Sequence, residues 1–272
     1  MRVPFVKMHG LGNDFVVLDT RTGAVPAMTN RLAAALADRK TGIGCDQLIL
    51  LEPSQVATLR MRIFNADGGE VEACGNATRA VGLLLGEAAT IETLGGILHT
   101  ASAAGGIAVD MGKPRFLWDE IPLAYAMDTL QMPVGWDGLE APAAVNIGNP
   151  HAVFFVADCN AAELDRLGPL IEHDPLFPER VNVNVATVID RHSIRLRVWE
   201  RGVGETRACG TGACATAIAA MRRGLVDRHV TVTLEGGDLA IGWGADNRIT
   251  MTGPATESFR GDFDPAQYGA AV

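Results

Sequence analysis

The order of apolar and polar residues along the chain predicts many short strands and a few helices. Apolar runs of strand length recur throughout, among them VPFVKMH, DFVVLD, LRMRIFN, HAVFFVA, IRLRVWE and VTVTLE. Helical spacing is found from Arg31 to Arg39, after Cys74 to about Gly86, from Ala161 to about His173 and from Gly210 to about Gly224. Gly-rich turns separate these elements. The pattern predicts an α+β fold.

The chain also carries an internal repeat. GEVEACGNA, which contains Cys74, resembles GETRACGTG, which contains Cys209, and Gly12-Asn13 is matched by Gly148-Asn149. Both offsets are close to half of the 272 residues, and the two matches keep the same order. We therefore predict two similar halves with a cleft between them.

The same offset predicts where the halves begin and end. It aligns Gln47 with Asn182 and Asn65 with Glu200, so polar side chains recur at matched places. A linker is expected between about Pro114 and Pro142, where periodicity is weak. We predict an N-terminal lobe over 1–115, completed by about 258–272, and a C-terminal lobe over 116–257.

Composition limits the classes of function. Hydrophobic residues make up 48% and charged residues 20%, as in ordinary globular proteins, and the net charge is −9. An acidic chain does not suit nucleic acid or an anionic membrane, so a small molecule is the expected partner. We find no secretory leader and no apolar run of membrane-spanning length, and we expect a cytoplasmic protein. Five cysteines, an odd number without framework spacing, favour thiols over disulfides.

Two of the cysteines are placed for chemistry. Cys74 and Cys209 each directly precede a helical pattern, and the N-terminus of a helix favours a thiolate and a docked anion. With one sulfur on each face of an α-carbon, one can remove a proton while the other delivers one, which inverts the centre. The sequence therefore predicts an acid/base pair of cysteines.

Other interpretations of these residues are weaker. Cys74 and Cys209 could be buried thiols kept by packing in a duplicated helix start. Cys209 with Cys214 could bind a metal, but a C-x₄-C pair on a helix has no second Cys/His pair nearby. The GLG at Gly10 lacks the remainder of a dinucleotide-binding loop. We predict no metal and no cofactor, and we interpret Cys45, Cys159 and Cys214 as buried hydrophobic residues.

Several longer strings resemble those of diaminopimelate epimerases. They are HGLGNDF, GIGCDQ, FNADGGEVEACGNATR, GNPH, RVNVN and ERGVGETRACGTGACA, in the order that the family uses, from residue 1 to near residue 253. The resemblance implies two β-rich lobes, each wrapped around a central helix, with the active site in the cleft. It also implies cofactor-independent interconversion of LL- and meso-2,6-diaminoheptanedioate in lysine and cell-wall precursor synthesis. Ala77 and the DGGE loop depart slightly from the commonest family pattern.

The resemblance implies a role for individual residues. Cys74 and Cys209 would be the acid/base pair, with His151 and Glu200 tuning the pKa of the thiols. Arg201 would bind the distal carboxylate of the substrate, and a homodimer is expected. The substrate-binding set would be Asn13, Gln47, Asn65, Gly75, Asn76, Asn149, Asn182, Glu200, Arg201, Gly210 and Thr211.

Two other functions compete with this one. A proline or hydroxyproline epimerase of the same fold would act on a substrate without a distal charged centre, so Arg201 and Glu200 facing the site would argue against it. A non-catalytic amino-acid binder or thiol redox protein would use the cysteines for sensing. Exchange of the substrate α-proton with solvent separates an epimerase from such a protein.

Overall fold

A computed structural model of the chain describes residues 2–23, 25–72 and 74–269. The chain divides into two compact units. Unit 1 comprises Met1–Val109 with Gly253–Val272, and unit 2 comprises Asp110–Thr252. The predicted boundaries, after residues 115 and 257, each lie a few residues beyond the observed boundaries, which fall after residues 109 and 252.

The first part of the chain contains eight strands and two α-helices within the described residues. In chain order they are β1 (Val3–Gly10), β2 (Asn13–Asp19), α1 (Asn30–Ala37), β3 (Gln47–Glu52), β4 (Leu59–Asn65), β5 (Glu70–Val71), α2 (Gly75–Leu85), β6 (Ala89–Thr93), β7 (Gly96–Ala103) and β8 (Gly106–Asp110). Helix α2 ends where sequence analysis placed its end, because Gly86 takes a left-handed conformation with φ 73°.

The remaining strands and α-helices belong to unit 2, except for the last strand. They are β9 (Gly135–Trp136), β10 (Leu139–Glu140), β11 (Ala143–Asn146), β12 (Pro150–Phe155), α3 (Leu164–Glu172), β13 (Asn182–Asp190), β14 (Ser193–Glu200), β15 (Gly204–Thr206), α4 (Gly210–Arg222), β16 (His229–Leu234), β17 (Gly237–Trp243), β18 (Ile249–Gly253) and β19 (Thr256–Phe263). Strand β19 pairs antiparallel with β1, so the chain returns to unit 1 at its C-terminal end.

The two units share one order of strand pairing. In unit 1, β1 and β2 form a hairpin, β2 pairs parallel with β3, β3 and β4 are antiparallel, and β4 pairs parallel with β6. In unit 2, β11, β12, β13, β14 and β16 repeat these relations in the same sequence. A short antiparallel strand and a helix precede the parallel return in both units. The predicted duplicated α+β fold is confirmed.

This topology collects polar residues at one edge of each unit. Because β2 and β3 are parallel, Asn13 and Gln47 begin their strands at the same edge, where the antiparallel β4 ends at Asn65. In unit 2, β13 begins at Asn182 and β14 ends at Glu200 in the same relation. Helices α2 and α4 begin after β5 and β15, which follow those strand ends. The repeat in the sequence therefore reflects a repeat of position.

Strand β2 shows how the core is built. Its side chains alternate between two apolar clusters. Phe15 and Val17 lie in a cluster with residues of α2, whereas Val16 and Leu18 lie in a cluster with residues of α1. Both faces are buried, which explains the continuous apolar run FVVL. Helix α4 contacts β11, β12, β13, β14, β16 and β17, and its buried residues are mostly Gly, Ala, Thr and Cys. Small side chains let a helix lie close to strands on several sides.

Two predictions about unit 2 were wrong in detail. The stretch from Pro114 to Pro142, predicted as a linker, belongs to unit 2, where Ile121, Leu123 and Met132 are buried in its core. Helix α3 begins at Leu164 rather than Ala161, because a short 3₁₀ turn over Cys159–Ala161 comes first. Within the described part of the chain, every helix is too short or too polar to cross a membrane.

Candidate active site

Cys74 caps the N-terminus of helix α2. Its backbone is extended, with φ −146° and ψ 113°, and its Sγ accepts a hydrogen bond from the Ala77 N–H at 3.5 Å. A serine or threonine commonly takes this capping role, and here a cysteine takes it. The thiol is half-buried and lies at the predicted helix start.

Asn13 connects this sulfur to the strand edge. Its Oδ1 accepts from the Cys74 thiol at 3.8 Å and from Asn76 Nδ2 at 3.2 Å. Its Nδ2 donates to Asp46 Oδ2 at 3.1 Å, which fixes the orientation of the amide. Asn13 follows a two-residue hairpin loop in which Leu11 and Gly12 have φ of 59° and 90°. The structure thus brings Asn13, Cys74 and Asn76 together, as predicted.

Gln47 and Asn65 form the second polar pair of unit 1. They are register partners on β3 and β4, and Gln47 Nε2 donates to Asn65 Oδ1 at 3.0 Å. Both side chains are half-buried. Two amides held against each other keep donor and acceptor capacity for a ligand.

Cys209 repeats the arrangement in unit 2. It caps helix α4 with an extended backbone, and its Sγ accepts from the Gly212 N–H at 3.4 Å. The Thr211 hydroxyl lies 3.5 Å from the sulfur. The side chain is buried, and Gly212 has no room for a Cβ beside Asn184 Oδ1, which would be 2.8 Å away. The helix start is therefore tightly packed around the sulfur.

The acidity of Cys209 differs from the sequence expectation. The helix N-terminus was expected to favour the thiolate, yet burial raises the pKa of the Cys209 thiol well above its usual value, and the charge of Glu200 raises it further. Hydrogen bonds from Thr211 and Gly212 act in the opposite direction without offsetting this. Desolvation outweighs the helix dipole here, so Cys209 holds its proton at neutral pH.

His151 is fully buried in β12 and neutral. Burial lowers the pKa of its imidazole to about 3. Its Nε2 lies 2.9 Å from Asn149 Oδ1, and its Nδ1 lies 3.0 Å from Asn184 Nδ2. The neutral ring therefore donates from Nε2 and accepts at Nδ1, which orients the Asn149 amide. Within unit 2, His151 holds a predicted substrate-binding residue.

The Glu200-Arg201 turn is held by hydrogen bonds to its backbone and to both of its side chains. Asn182 Oδ1 accepts from the Arg201 N–H at 3.0 Å, and Asn182 Nδ2 donates to the Pro150 carbonyl at 2.8 Å. Arg201 Nη1 donates to the Glu179 carbonyl at 2.8 Å, and Glu200 Oε1 accepts from the Thr206 hydroxyl at 2.5 Å. Buried Asn182 thus joins β12 to the turn, a structural use that sequence analysis did not assign to it.

Sequence analysis missed three residues of these networks. Asp46 orients Asn13, Asn184 contacts His151, and the buried carboxylate of Glu172 accepts hydrogen bonds from Trp199 and Gly202. Asp46 and Asn184 lie inside strings quoted for the resemblance, so their positions were visible but their roles were not. Cys45, Cys159 and Cys214, predicted as buried, are buried.

The chain matches known proteins along nearly all of its length. The family model described as diaminopimelate epimerase matches residues 5–117 and 143–257. The diaminopimelate epimerase of Erythrobacter litoralis is 69% identical over 268 residues, covering 98% of this chain and 100% of that protein. The chain belongs to the diaminopimelate epimerase family. The diaminopimelate epimerase of Rhizorhabdus wittichii is 66% identical, and the match covers 99% of this chain and 98% of that protein. The chain is therefore an isomerase, as predicted.

Solved structures of other proteins share the fold. A hydroxyproline epimerase from Agrobacterium vitis superposes with a TM-score of 0.68 at 16% identity, covering 100% of this chain and 96% of its own. A PhzF-family phenazine biosynthesis protein from Bacillus anthracis gives 0.69 at 15% identity, covering 97% and 99%. At such identities the likeness concerns the fold alone, and membership of the diaminopimelate epimerase family decides against the proline-type alternative.

Proposed function

We propose that the chain interconverts LL- and meso-2,6-diaminoheptanedioate by proton transfer between the substrate α-carbon and two cysteines, Cys74 and Cys209. The observation that carries this proposal is the matched placement of the two sulfurs. Each sulfur caps a buried helix at the same position of a duplicated fold. Each also accepts a hydrogen bond from the backbone N–H of the residue three positions later in the chain. Two equivalent groups suit a reaction that must run on both faces of one carbon.

The proton balance needs one sulfur in each protonation state. A thiolate takes the α-proton, so the C–H bond breaks and an S–H bond forms, while the second thiol gives its proton to the opposite face. Cys209, whose raised pKa keeps it protonated, fits the donor state. The Glu200 carboxylate, within hydrogen-bond reach of the same thiol, can hold that proton when the sulfur acts as base.

The helix starts supply the electrostatic part of the reaction. Backbone N–H groups at Gly75, Asn76, Gly210 and Thr211 stand in the first turns of α2 and α4, where helix geometry provides no carbonyl partner within the helix. A substrate carboxylate held there gains stabilisation as negative charge develops on the α-carbon beside it. These groups and the two sulfurs account for the reaction with the chain's own residues, and we propose no cofactor and no metal.

The polar side chains at the edge of each unit would select the substrate. We assign the distal carboxylate to Arg201, whose guanidinium can form paired hydrogen bonds, and the distal ammonium to Glu200 and the amide oxygens nearby. The remaining amides of the set are Asn13, Gln47, Asn65, Asn149 and Asn182. A cleft between the units, a homodimer and a cytoplasmic location stay predictions.

The proposal is tested by exchange of the substrate proton with solvent. The reduced protein is incubated with the LL isomer in D₂O without added cofactor, and α-deuterium and meso product are followed together. Deuterium incorporation coupled to meso product is the expected result. No exchange with both thiols confirmed as reduced would overturn the proposal.

Variants of the cysteines test the two-base part. Cys74→Ala and Cys209→Ala should each abolish net epimerisation, because one face then lacks a proton donor or acceptor. Cys45→Ala in unit 1 and Cys159→Ala in unit 2 are matched controls, since these buried thiols lie in apolar clusters and should leave turnover near the parent value. Full activity in either of the first two variants would rule out two-cysteine catalysis.

A further inference from the structure

A buried carboxylate ends helix α3. Glu172 is 2% exposed, and its carboxylate lies beneath the turn that follows β14. Burying a carboxylate is unfavourable unless hydrogen bonds replace its water. An apolar residue of similar volume could fill the same space, so packing alone does not account for a charge here.

The two carboxylate oxygens of Glu172 accept hydrogen bonds from the residues on either side of the Glu200-Arg201 dipeptide. Glu172 Oε2 accepts from the Trp199 indole N–H at 2.8 Å, and Oε1 accepts from the Gly202 backbone N–H at 2.8 Å. Trp199 and Gly202 directly flank Glu200 and Arg201. One rigid group therefore fixes the chain immediately before and immediately after the two residues assigned to substrate and thiol.

The chemistry of this contact requires an acceptor on both oxygens. Both partners are N–H donors, and an ionised carboxylate is an acceptor only. A glutamine would turn an NH₂ group toward one of the two donors and lose that bond. The half-exposed Arg180, whose Nη1 is 3.4 Å from Oε1, supplies a compensating charge from the outer side.

The surroundings leave the turn little freedom. A Cβ at Gly168 of α3 would lie 2.4 Å from Trp199 Cδ2, so the indole packs directly on the helix backbone. Asn182 Oδ1, on β13, accepts a hydrogen bond from the Arg201 N–H at 3.0 Å. The turn is thus fixed by α3 and by β13 together.

We propose that Glu172 is a positioning residue, which sets the place of Glu200 against Cys209 and of Arg201 in the substrate site by clamping Trp199 and Gly202. This role rests on the proposed function for the Arg201 part. The Glu200 part can be measured without any substrate, because the charge of Glu200 raises the pKa of the Cys209 thiol.

The test follows alkylation of Cys209 by iodoacetamide as a function of pH, resolved by peptide mass spectrometry. Glu172→Gln breaks one of the two clamp bonds, and Trp199→Phe removes the indole donor and one ring of the side chain while keeping an aromatic residue at that position. Glu200→Gln removes the charge itself and marks the size of the full effect. Glu163→Gln is the matched control, because it makes the same change on an exposed residue next to α3 that pairs with Arg166.

We expect Glu172→Gln to lower the alkylation midpoint of Cys209 toward that of Glu200→Gln, because a displaced carboxylate no longer opposes the thiolate. Trp199→Phe should give a smaller shift in the same direction, and Glu163→Gln none. With substrate, Glu172→Gln should raise KM about tenfold through the loosened Arg201.

A parental midpoint in folded Glu172→Gln and Trp199→Phe, with only the melting temperature lowered, would overturn the proposal and leave Glu172 as a packing support. If Glu172→Gln does not fold, the midpoint of Trp199→Phe decides. Absence of epimerase activity in the parent would refute the proposed function, while the alkylation profiles would still decide the role of Glu172.

Discussion

The neutral, fully buried His151 should make the fold sensitive to acid. Its imidazole has a pKa near 3 in the folded chain, against 6.5 for the ordinary side chain. The folded state therefore stays unprotonated over a range in which the unfolded chain takes up a proton. Stability is at its full value above pH 6.5 and falls as the pH drops toward 3, because protons bind preferentially to the unfolded chain.

The size of the effect follows from the two pKa values. Each pH unit below 6.5 costs about 1.4 kcal/mol, so at pH 4 this one residue lowers the free energy of unfolding by about 3 kcal/mol relative to neutral pH. A loss of that size is a large part of the total stability of a typical domain. The residue has no exposed surface, so solvent screening does not reduce the figure.

The assay compares the parent chain with His151→Gln by urea unfolding at several pH values. The variant loses a constant amount of stability through its altered hydrogen bonds, but it has no imidazole to titrate. The difference between the two proteins should therefore shrink by about 3 kcal/mol between pH 7 and pH 4, while the carboxylates common to both cancel. Parallel pH profiles for the two proteins would refute a buried neutral His151.

Other substitutions have effects of predictable direction. Arg201→Met should raise KM for the diamino acid about a hundredfold with little change in kcat, and an unchanged KM in steady-state assays would refute the distal-carboxylate assignment. Gly168→Ala should destabilise the chain by about 1–3 kcal/mol in urea unfolding, because its Cβ would overlap Trp199, and unaltered stability would contradict that packing. Asp46→Asn should lower kcat/KM about three- to tenfold by loosening the Asn13 amide, whereas parental kinetics would show that Asn13 needs no support.

Much of the fold could be predicted because it repeats. The two CG steps placed the helix starts at Cys74 and Cys209 correctly, and the Gly-Asn pairs placed the first hairpin loops of both units. The same offset matched Gln47 with Asn182, which begin equivalent strands. Local periodicity and turn residues indicate where helices, hairpin loops and strands begin, and the duplication gave the same indication in both units.

The errors and omissions concern quantities that depend on distant parts of the chain. The raised pKa of Cys209 comes mainly from burial by surrounding residues, which the local helix-start pattern does not report. Glu172 is far in sequence from Trp199 and Gly202, and nothing near it marks a buried carboxylate. The supposed linker at Pro114 to Pro142 has weak periodicity because it packs irregularly, with Ile121 and Leu123 in the core.

The gathering of polar residues at one edge of each unit also determines where a label can be inserted into the molecule. Since strand starts, strand ends and helix starts with assigned roles gather at one edge, the turns at the other edge carry no assigned role. The turn between β13 and β14 is one of them, with exposed Arg191 and His192 on a tight connection. A reporter dye or an affinity tag inserted there would lie a full strand length from Glu200. The fold thus offers an attachment point for labelling that leaves the chemistry undisturbed.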